Sequence, residues 1–307
     1  MLFGRKKRAA RRGTVIDGPH LSPFVAVPPA SAPVAQPEPV PDVEPEAVLA
    51  VRARTATSEV TSGASQTKKE HKMRDRIIVA LDTTNAEQAL AIARPLQTHV
   101  GWMKVGMTLY YSEGPQVVRD IRHLGFKVFV DLKLNDIPHQ VEGAVRALAR
   151  VGVDLITVHA TGGRAMLEAA VRAADEAAAK FGGKRVKVIA VTVLTSLDAD
   201  DLTTFGIDRT PAEQVAALAT LARDAGCDGI VCSPQEAAAM RELLGPDALI
   251  VTPGVRPTGA DTGDQARVAT PAEAIAAGAS HLVIGRPITA ASDPVQAART
   301  ILEEMDS

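Results

Sequence analysis

From residue 74 onward, short apolar runs rich in Val and Ile alternate with stretches in which apolar residues recur every three or four positions. The short runs are typical of buried parallel strands, and the longer stretches are typical of amphipathic helices. Strands are predicted at 77–82, 102–106, 128–133, 155–160, 186–195, 229–233, 249–255 and 281–287. Helices are predicted between them, at 85–93, 115–124, 140–151, 164–180, 211–225, 234–243, 271–277 and 294–304.

Eight strand–helix repeats within residues 73–307 predict an α/β fold, a closed (β/α)8 TIM barrel. Several of the predicted helices begin near a proline and several end at a glycine, as helices commonly do. An open, doubly wound sheet is the alternative. No G-x-G-x-x-G follows the first strand, which disfavours that alternative.

Residues 1–72 differ in kind from the rest. A basic cluster at 5–12 is followed by nine prolines within 19–45, and such a segment cannot bury enough surface to offset its ordering entropy. We therefore expect a disordered extension (1–72) before the barrel domain (73–307). The extension carries 11 Lys/Arg against 7 Asp/Glu, so its net charge is +4, and about −6 is left for the barrel out of the total of −2.

A basic tail can contact nucleic acid or an anionic membrane surface, but a solvated extension, or a start codon placed too early, is the favoured interpretation. The barrel sequence has no basic stripe, so no nucleic-acid or membrane partner is predicted for it. A secretory signal and a long apolar run are both missing, which predicts a cytoplasmic protein. Cys227 and Cys232 lie in an apolar stretch and are predicted to be buried, reduced thiols.

The active sites of such barrels lie at the carboxyl ends of the strands. Polar residues gather at those predicted ends: Asp82, Lys104, Asp131, Lys133, His159, Thr195, Ser196, Arg256 and Arg286. Asp131 and Lys133 are two residues apart, so both side chains are expected on one face of their strand, the barrel interior, with Asp136 in the loop that follows. A structural salt-bridge network is the alternative, but the convergence of further charges at the same end favours catalysis.

A second site is predicted where barrels often bind phosphate, in the loops after the last two strands. There Gly285 allows a close approach of the backbone to an anion, and Arg286 offers several donors. Arg256 and Gln265 lie on a Gly-rich segment, 255–265, that is expected to fold over a ligand. His159 is interpreted as a core residue rather than a catalytic one. Metal-ligand spacings are missing from the sequence, so we expect no metal.

The segment Asp131-Leu-Lys-Leu-Asn-Asp-Ile-Pro138 resembles the D-x-K-x-x-D-I-P signature of the orotidine 5'-phosphate decarboxylase family. Further segments resemble the same family in the same order: 80–82, 104–106, 191–196, 252–257, 263–265 and 284–287. The resemblance spans residues 75 to about 300. It implies cofactor-free decarboxylation of orotidine 5'-phosphate to UMP and CO2, the last step of de novo pyrimidine nucleotide synthesis.

The resemblance also implies a role for each charged residue. Lys133 is the proton donor to C6 of the pyrimidine, and Asp131 faces the substrate carboxylate. Lys104 pairs with Asp131 and reaches the ribose, while Asp82 holds a ribose hydroxyl. The family is dimeric, and Asp136 completes the charge array of the neighbouring subunit.

The other substrate-binding residues that the resemblance implies are Ile137, Gln140, Thr195, Ser196, Arg256, Gln265, Gly285 and Arg286. Thr195 and Ser196 bind the pyrimidine end, and the last four bind or enclose the 5'-phosphate. Gln140 departs from the family, which usually has Thr at this position to contact the ribose. An amide both donates and accepts hydrogen bonds, so the contact is expected in altered form.

Two other functions remain open. The first is a related barrel decarboxylase or aldolase that acts on a sugar phosphate with a divalent metal, and activity that survives EDTA would exclude it. The second is a non-catalytic binding barrel whose tail performs the function. The presence of Lys104, Asp131, Lys133 and Asp136 together disfavours the second.

Overall fold

The computed structural model describes residues 72–257 and 269–306, and its eight strands form a closed parallel barrel. Neighbours along the chain pair with each other, and β1 closes the barrel against β8. The strands are β1 (Ile77–Leu81), β2 (Trp102–Gly106), β3 (Lys127–Leu134), β4 (Leu155–His159), β5 (Lys187–Val191), β6 (Gly229–Val231), β7 (Leu249–Thr252) and β8 (His281–Ile284). The predicted TIM barrel is confirmed. The predicted extension, 1–72, lies outside the described residues except for its last residue.

Helices follow each strand on the outside of the barrel. From β1 onward they are α1 (Ala86–Ala93), α2 (Met107–Glu113), α3 (Gln116–His123), α4 (Pro138–Val151), α5 (Arg164–Phe181), α6 (Ala199–Thr204), α7 (Pro211–Asp224), α8 (Ala237–Leu244), α9 (Pro271–Ala276), α10 (Arg286–Thr289) and α11 (Pro294–Asp306). Within 72–257 and 269–306, none of the helices is long and apolar enough to cross a bilayer.

Local sequence fixes where these helices begin and end. Thr210 caps α7 by accepting a hydrogen bond from the Glu213 backbone N–H, while the Glu213 carboxylate accepts one from the Thr210 backbone N–H. This reciprocal arrangement satisfies two donors that the first helical turn leaves without partners. At the other end of a helix, Gly152 ends α4 with φ of 89°, a left-handed conformation that costs glycine little.

Two apolar layers result from the alternation of side chains along the strands. Residues such as Ile77 and Val79 point outward and pack against the helices, whereas Ile78 and Trp102 point into the barrel. Phe129 is buried in the interior layer and also lines the cavity above it. The barrel is therefore a packed core, with its chemistry restricted to one end.

The structure corrects one strand boundary and adds three short helices. The run predicted as one long strand at 186–195 leaves the sheet after Val191, where the Thr192 backbone N–H and hydroxyl both donate to the Val231 carbonyl. Val193 and Leu194 are apolar because they line the cavity, not because they extend the strand. The short helices α2, α6 and α10 were not predicted, since each has too few turns to show a helical period.

The two cysteines lie on either side of β6 in the chain. Cys232 is buried and Cys227 is partly buried, and within the described residues neither takes part in a disulfide. Burial raises the pKa of the Cys227 thiol to about 12, so that thiol stays protonated at neutral pH. Both findings agree with the predicted reduced thiols.

The amino-terminal end of the barrel is closed by Trp102 and His281, whose rings meet edge to face with centroids 5.5 Å apart. Burial, and then the charge of Arg76, lowers the pKa of His281 to about 4. His281 is therefore neutral in the native protein at pH 5, whereas in the unfolded chain a histidine with its ordinary pKa near 6.5 is protonated at that pH.

We predict that the stability of the protein falls as the pH is lowered through this window. Between pH 6.5 and about 4 the unfolded chain binds a proton at His281 that the native protein does not bind. This single group should cost on the order of 2 kcal/mol of unfolding free energy between pH 7 and pH 5. Urea unfolding at the two pH values measures the loss, and His281→Gln should show a smaller one. An equal loss in both proteins would contradict the assignment.

Candidate active site

A cavity of about 440 Å³ opens at the carboxyl end of the barrel. Eight residues predicted from the sequence line it: Asp82, Lys104, Asp131, Lys133, Thr195, Arg256, Gly285 and Arg286. The first four come from β1 to β3 and their ends, and the last three come from the segments that follow β7 and β8. Charges predicted for catalysis and groups predicted for phosphate thus occupy different parts of one cavity wall.

Four charged side chains form an alternating chain across β1, β2 and β3. The Lys104 Nζ lies 3.1 Å from Asp82 Oδ1 and 3.6 Å from Asp131 Oδ2. The Lys133 Nζ donates to Asp131 Oδ1 at 2.9 Å. The Lys104 and Asp131 side chains are only 11% and 12% exposed, whereas those of Lys133 and Asp82 are 28% and 68% exposed. The outer members of the chain are therefore the ones most accessible to a ligand.

Asp131 is the most strongly perturbed carboxylate of this cluster. Burial by itself raises its pKa, but the charges of Lys104 and Lys133 and the hydrogen bonds from Lys133 and Thr157 outweigh burial. The net effect holds the pKa of Asp131 below its usual range. Asp131 is thus ionised at neutral pH, and its negative charge attracts the ammonium groups of both lysines.

Thr157, a residue that the sequence analysis missed, lies directly beneath this cluster. It is buried on β4, and its hydroxyl donates to Asp131 Oδ1 and accepts from the Lys133 backbone N–H, both at 2.9 Å. A signal was available, because alternation along β4 points Leu155, Thr157 and His159 to the same side, toward the barrel interior. A polar residue at the middle one of these positions needs a partner.

Gly106 makes room for the cluster. A Cβ atom at this position would lie 3.1 Å from Lys104 Nζ and 3.5 Å from Asp82 Oδ1. A side chain here would press on the ion pair, so the absence of one allows Lys104 to reach both carboxylates. This gives a physical reason for the glycine two residues after Lys104.

His159 lies at the edge of the charged cluster rather than in the hydrophobic core. It is half-buried, and burial together with the charge of Lys133 lowers its pKa, while the charge of Asp131 opposes the shift. The imidazole is therefore neutral at pH 7. His159 is therefore a neighbour of the charged cluster, and its neutral imidazole is a poor candidate for a general acid.

Four of the predicted site residues do not line this cavity. Asp136, Ile137 and Gln140 are exposed on the segment after β3, and Ser196 is exposed after β5. Asp136 Oδ1 accepts a hydrogen bond from the Ile137 backbone N–H at 2.6 Å. Gln265 lies outside the described residues, as does the predicted covering segment, 255–265, from residue 258 onward.

Among the residues that the structure describes, no three His, Cys, Asp or Glu side chains come together as metal ligands would. The independence of the chemistry from metals stays a prediction.

With this geometry in view, comparison with known proteins gives consistent matches. The profile of the family described as "Orotidine 5'-phosphate decarboxylase / HUMPS family" matches residues 75–301. Orotidine 5'-phosphate decarboxylase of Moorella thermoacetica is 53% identical over 234 residues, covering 76% of this chain and 93% of that protein. The enzyme of the same name from Paramagnetospirillum magneticum is 50% identical over 229 residues, covering 75% and 97%.

A solved structure matches as well. The crystal structure of orotidine 5'-phosphate decarboxylase from Lactobacillus acidophilus is similar with a TM-score of 0.68 and 40% identity, and the match covers 76% of this chain and all of that one.

A closed barrel whose carboxyl end holds a buried charge array beside an open cavity defines a (β/α)8-barrel enzyme. The chain belongs to the orotidine 5'-phosphate decarboxylase / HUMPS family. It is an enzyme of the decarboxylase kind, a carbon–carbon lyase.

Proposed function

We propose that this protein converts orotidine 5'-phosphate to UMP and CO2 without a metal or cofactor, and that Lys133 protonates C6 of the pyrimidine. The observation that carries the proposal is the Lys104–Asp131–Lys133 array in the cavity of a chain with these relatives. The reaction is the last step of de novo pyrimidine nucleotide synthesis, and we place it in the cytoplasm.

The chemistry requires a fixed positive charge. When the bond from C6 to the carboxylate breaks, CO2 leaves and the electron pair stays on C6, where no adjacent carbonyl can delocalise it. Electrostatic stabilisation by a group already in place is then the available means of lowering the barrier. The Lys133 ammonium supplies that charge and transfers a proton to C6, after which solvent restores the proton to Lys133.

The other charged residues of the array hold Lys133 in position and contact the substrate. Asp131 is ionised, holds the Lys133 Nζ at 2.9 Å and faces the substrate carboxylate. Lys104 balances the second oxygen of Asp131 and reaches the ribose together with Asp82. Thr195 and Ser196 bind the pyrimidine end from the segment after β5.

The 5'-phosphate is assigned to the far side of the cavity. Arg256 and Arg286 line it beside Gly285, after β7 and β8, where barrels commonly bind phosphate. Gln265 is proposed to enclose the phosphate from the covering segment. A volume of about 440 Å³ lies within the range of pockets that bind small molecules and cofactors. Binding energy from this remote group can then be used at the reacting carbon.

We further propose that the enzyme acts as a homodimer in which Asp136 completes the site of the partner subunit. Asp136 is exposed and does not line the cavity of its own subunit. Large apolar side chains are exposed after β3 and after the neighbouring strand β2. Ile137, next to Asp136, is 63% exposed, and Met107 and Tyr111 on α2 are 47% and 72% exposed. Exposed apolar side chains of this kind are typical of an interface. Ile137 and Gln140 contact substrate from the same segment.

The direct test is an ultraviolet assay of orotidine 5'-phosphate consumption by the full-length protein, with and without EDTA. We expect equal rates in both conditions. Loss of activity on chelation would favour the metal-dependent sugar-phosphate alternative. A tail-deleted protein assayed in parallel tests whether residues 73–307 form a self-sufficient catalytic domain, as the 93% coverage of the Moorella enzyme supports.

Lys133→Ala should remove nearly all turnover while the barrel stays folded, because the proton donor and the charge beside C6 are both lost. The same assay measures kcat, and circular dichroism checks the fold. A variant that keeps a tenth of the wild-type rate would contradict the assignment of Lys133.

Arg286→Ala should mainly raise KM and lower kcat/KM, because a charge-assisted contact to the phosphate is lost far from the reacting carbon. We expect a decrease in kcat/KM on the order of 100-fold. Steady-state kinetics measure this, and an exposed arginine away from the cavity, Arg223→Ala, is the matched control. An unchanged kcat/KM in Arg286→Ala would contradict the phosphate role.

Mixing two inactive variants should restore activity if Asp136 acts across the interface. In a hybrid of Lys133→Ala and Asp136→Asn subunits, one of the two sites keeps Lys133 and receives an intact Asp136. Random exchange should therefore recover about a quarter of wild-type activity. The control mixture, Lys133→Ala with Asp131→Asn, should recover none because both residues belong to the same subunit's site. Equal behaviour of the two mixtures would contradict the shared site.

A further inference from the structure

The backbone at Lys133 departs from a regular strand. β3 pairs with β4 as Phe129 with Leu155 and Val130 with Ile156, and the next pair is Leu134 with Val158. Between the last two of these pairs, β3 advances by four residues whereas β4 advances by two. Within this irregularity Lys133 has φ of +52°, the one non-glycine residue with a positive φ in the described part of the chain. Such a conformation persists where surrounding contacts hold it.

A side-chain hydroxyl replaces the lost backbone pairing. The acceptor of the Lys133 backbone N–H is the Thr157 Oγ1, at 2.9 Å. The same hydroxyl donates to Asp131 Oδ1 at 2.9 Å, and that oxygen also accepts from the Lys133 Nζ at 2.9 Å. Asp131, Thr157 and Lys133 therefore form a closed ring of hydrogen bonds around one carboxylate oxygen.

Thr157 does not itself face the ligand. It is 1% exposed and is not among the residues that line the cavity. Its neighbours inside the barrel, Leu155 and Phe129, are apolar, so a hydroxyl here gains little except through the two bonds it makes. The two hydrogen bonds of Thr157 fix the Lys133 backbone and the Asp131 carboxylate, and these two residues line the cavity.

We propose that Thr157 is a positioning residue of the decarboxylation, whose hydroxyl holds the Lys133 backbone and the Asp131 carboxylate so that the ammonium is aimed at C6. This inference rests on the proposed role of Lys133.

The groups that surround Asp131 define the expected pH behaviour. Lys104 faces it from β2, Lys133 from β3 and His159 from β4, and Asp82 on the β1 side is linked to it through Lys104. All of these remain in Thr157→Val, which removes only the hydroxyl. The pKa of Asp131 should then rise above its wild-type position, because one hydrogen bond to the charged form is lost while burial remains.

The test compares Thr157→Val, Thr157→Ser and wild type in the full-length protein with orotidine 5'-phosphate. Misplacement of a reacting group by about 1 Å can cost on the order of 100-fold in rate, so we expect at least a tenfold loss of kcat in Thr157→Val. We expect KM to change by less than threefold and the acidic limb of the kcat profile to move to higher pH. Thr157→Ser keeps a hydroxyl and should restore kcat to within about threefold.

A matched control separates positioning from general loss of stability. Thr192 is also buried at a strand end, and its hydroxyl donates to the Val231 carbonyl at 3.0 Å without touching the charged cluster. Thr192→Val should lose comparable thermal stability and leave the acidic limb in place. UMP affinity, measured by calorimetry, reports in each variant whether the folded site is intact.

The outcomes are distinct. If the wild type is active and Thr157→Val shows the same kcat and the same acidic limb, this inference alone is overturned. Equal losses in Thr157→Val and Thr192→Val, with the limb unmoved in both, would also overturn it and assign Thr157 a structural role. Wild-type protein that consumes no orotidine 5'-phosphate would overturn the proposed function and this inference with it.

Discussion

The burial of one carboxylate, Asp131, determines how the carboxyl end of this barrel is built. A carboxylate removed from water is unstable unless charges and hydrogen-bond donors surround it. Three strands provide them, with Lys104 on β2, Lys133 on β3 and Thr157 on β4. Removing any one partner leaves part of that charge uncompensated. In our account, the two lysines that satisfy Asp131 also act on the substrate, and Thr157 positions Lys133. Stability of the cluster and its arrangement for catalysis therefore have the same origin.

The rest of the barrel holds this charged cluster in place. It also separates the cluster from the packed apolar core that stabilises the fold. Phe129 divides the charged cavity from the packed interior, and Trp102 and His281 close the opposite end. The groups that we propose bind phosphate lie after β7 and β8, and Lys133 lies on β3. The segments after β7 and β8 can then change position without disturbing the Lys133 ammonium, because that ammonium is held by strands and not by loops.

Sequence alone predicted the closed barrel because eight strand–helix repeats leave few other topologies. It also predicted that Asp131, Lys133, Lys104 and Asp82 meet, since all follow from the rule that strand ends converge. The reason given for Asp131 and Lys133 was incomplete, however. Regular alternation was assumed, whereas Lys133 has a left-handed backbone within an irregular pairing. Thr157 escaped notice because a lone threonine in an apolar run is also an ordinary strand former. Helix α2 escaped because it is only seven residues long, too short to show a helical period.

The central claim is that Lys133 stabilises negative charge at C6, and hydrogen exchange at C6 tests it without the decarboxylation step. Bound 5-fluoro-UMP in deuterium oxide should exchange its C6 hydrogen for deuterium in the wild-type protein. Fluorine draws electrons from the ring, the Lys133 amine takes up the C6 proton, and the ammonium so formed stabilises the carbanion. After its N–H exchanges with solvent, the ammonium returns a deuteron to C6. Nuclear magnetic resonance follows the exchange. We predict clear exchange in wild type and none above background in Lys133→Ala. Exchange at the same rate in both proteins, or no exchange by an active wild type, would contradict the account.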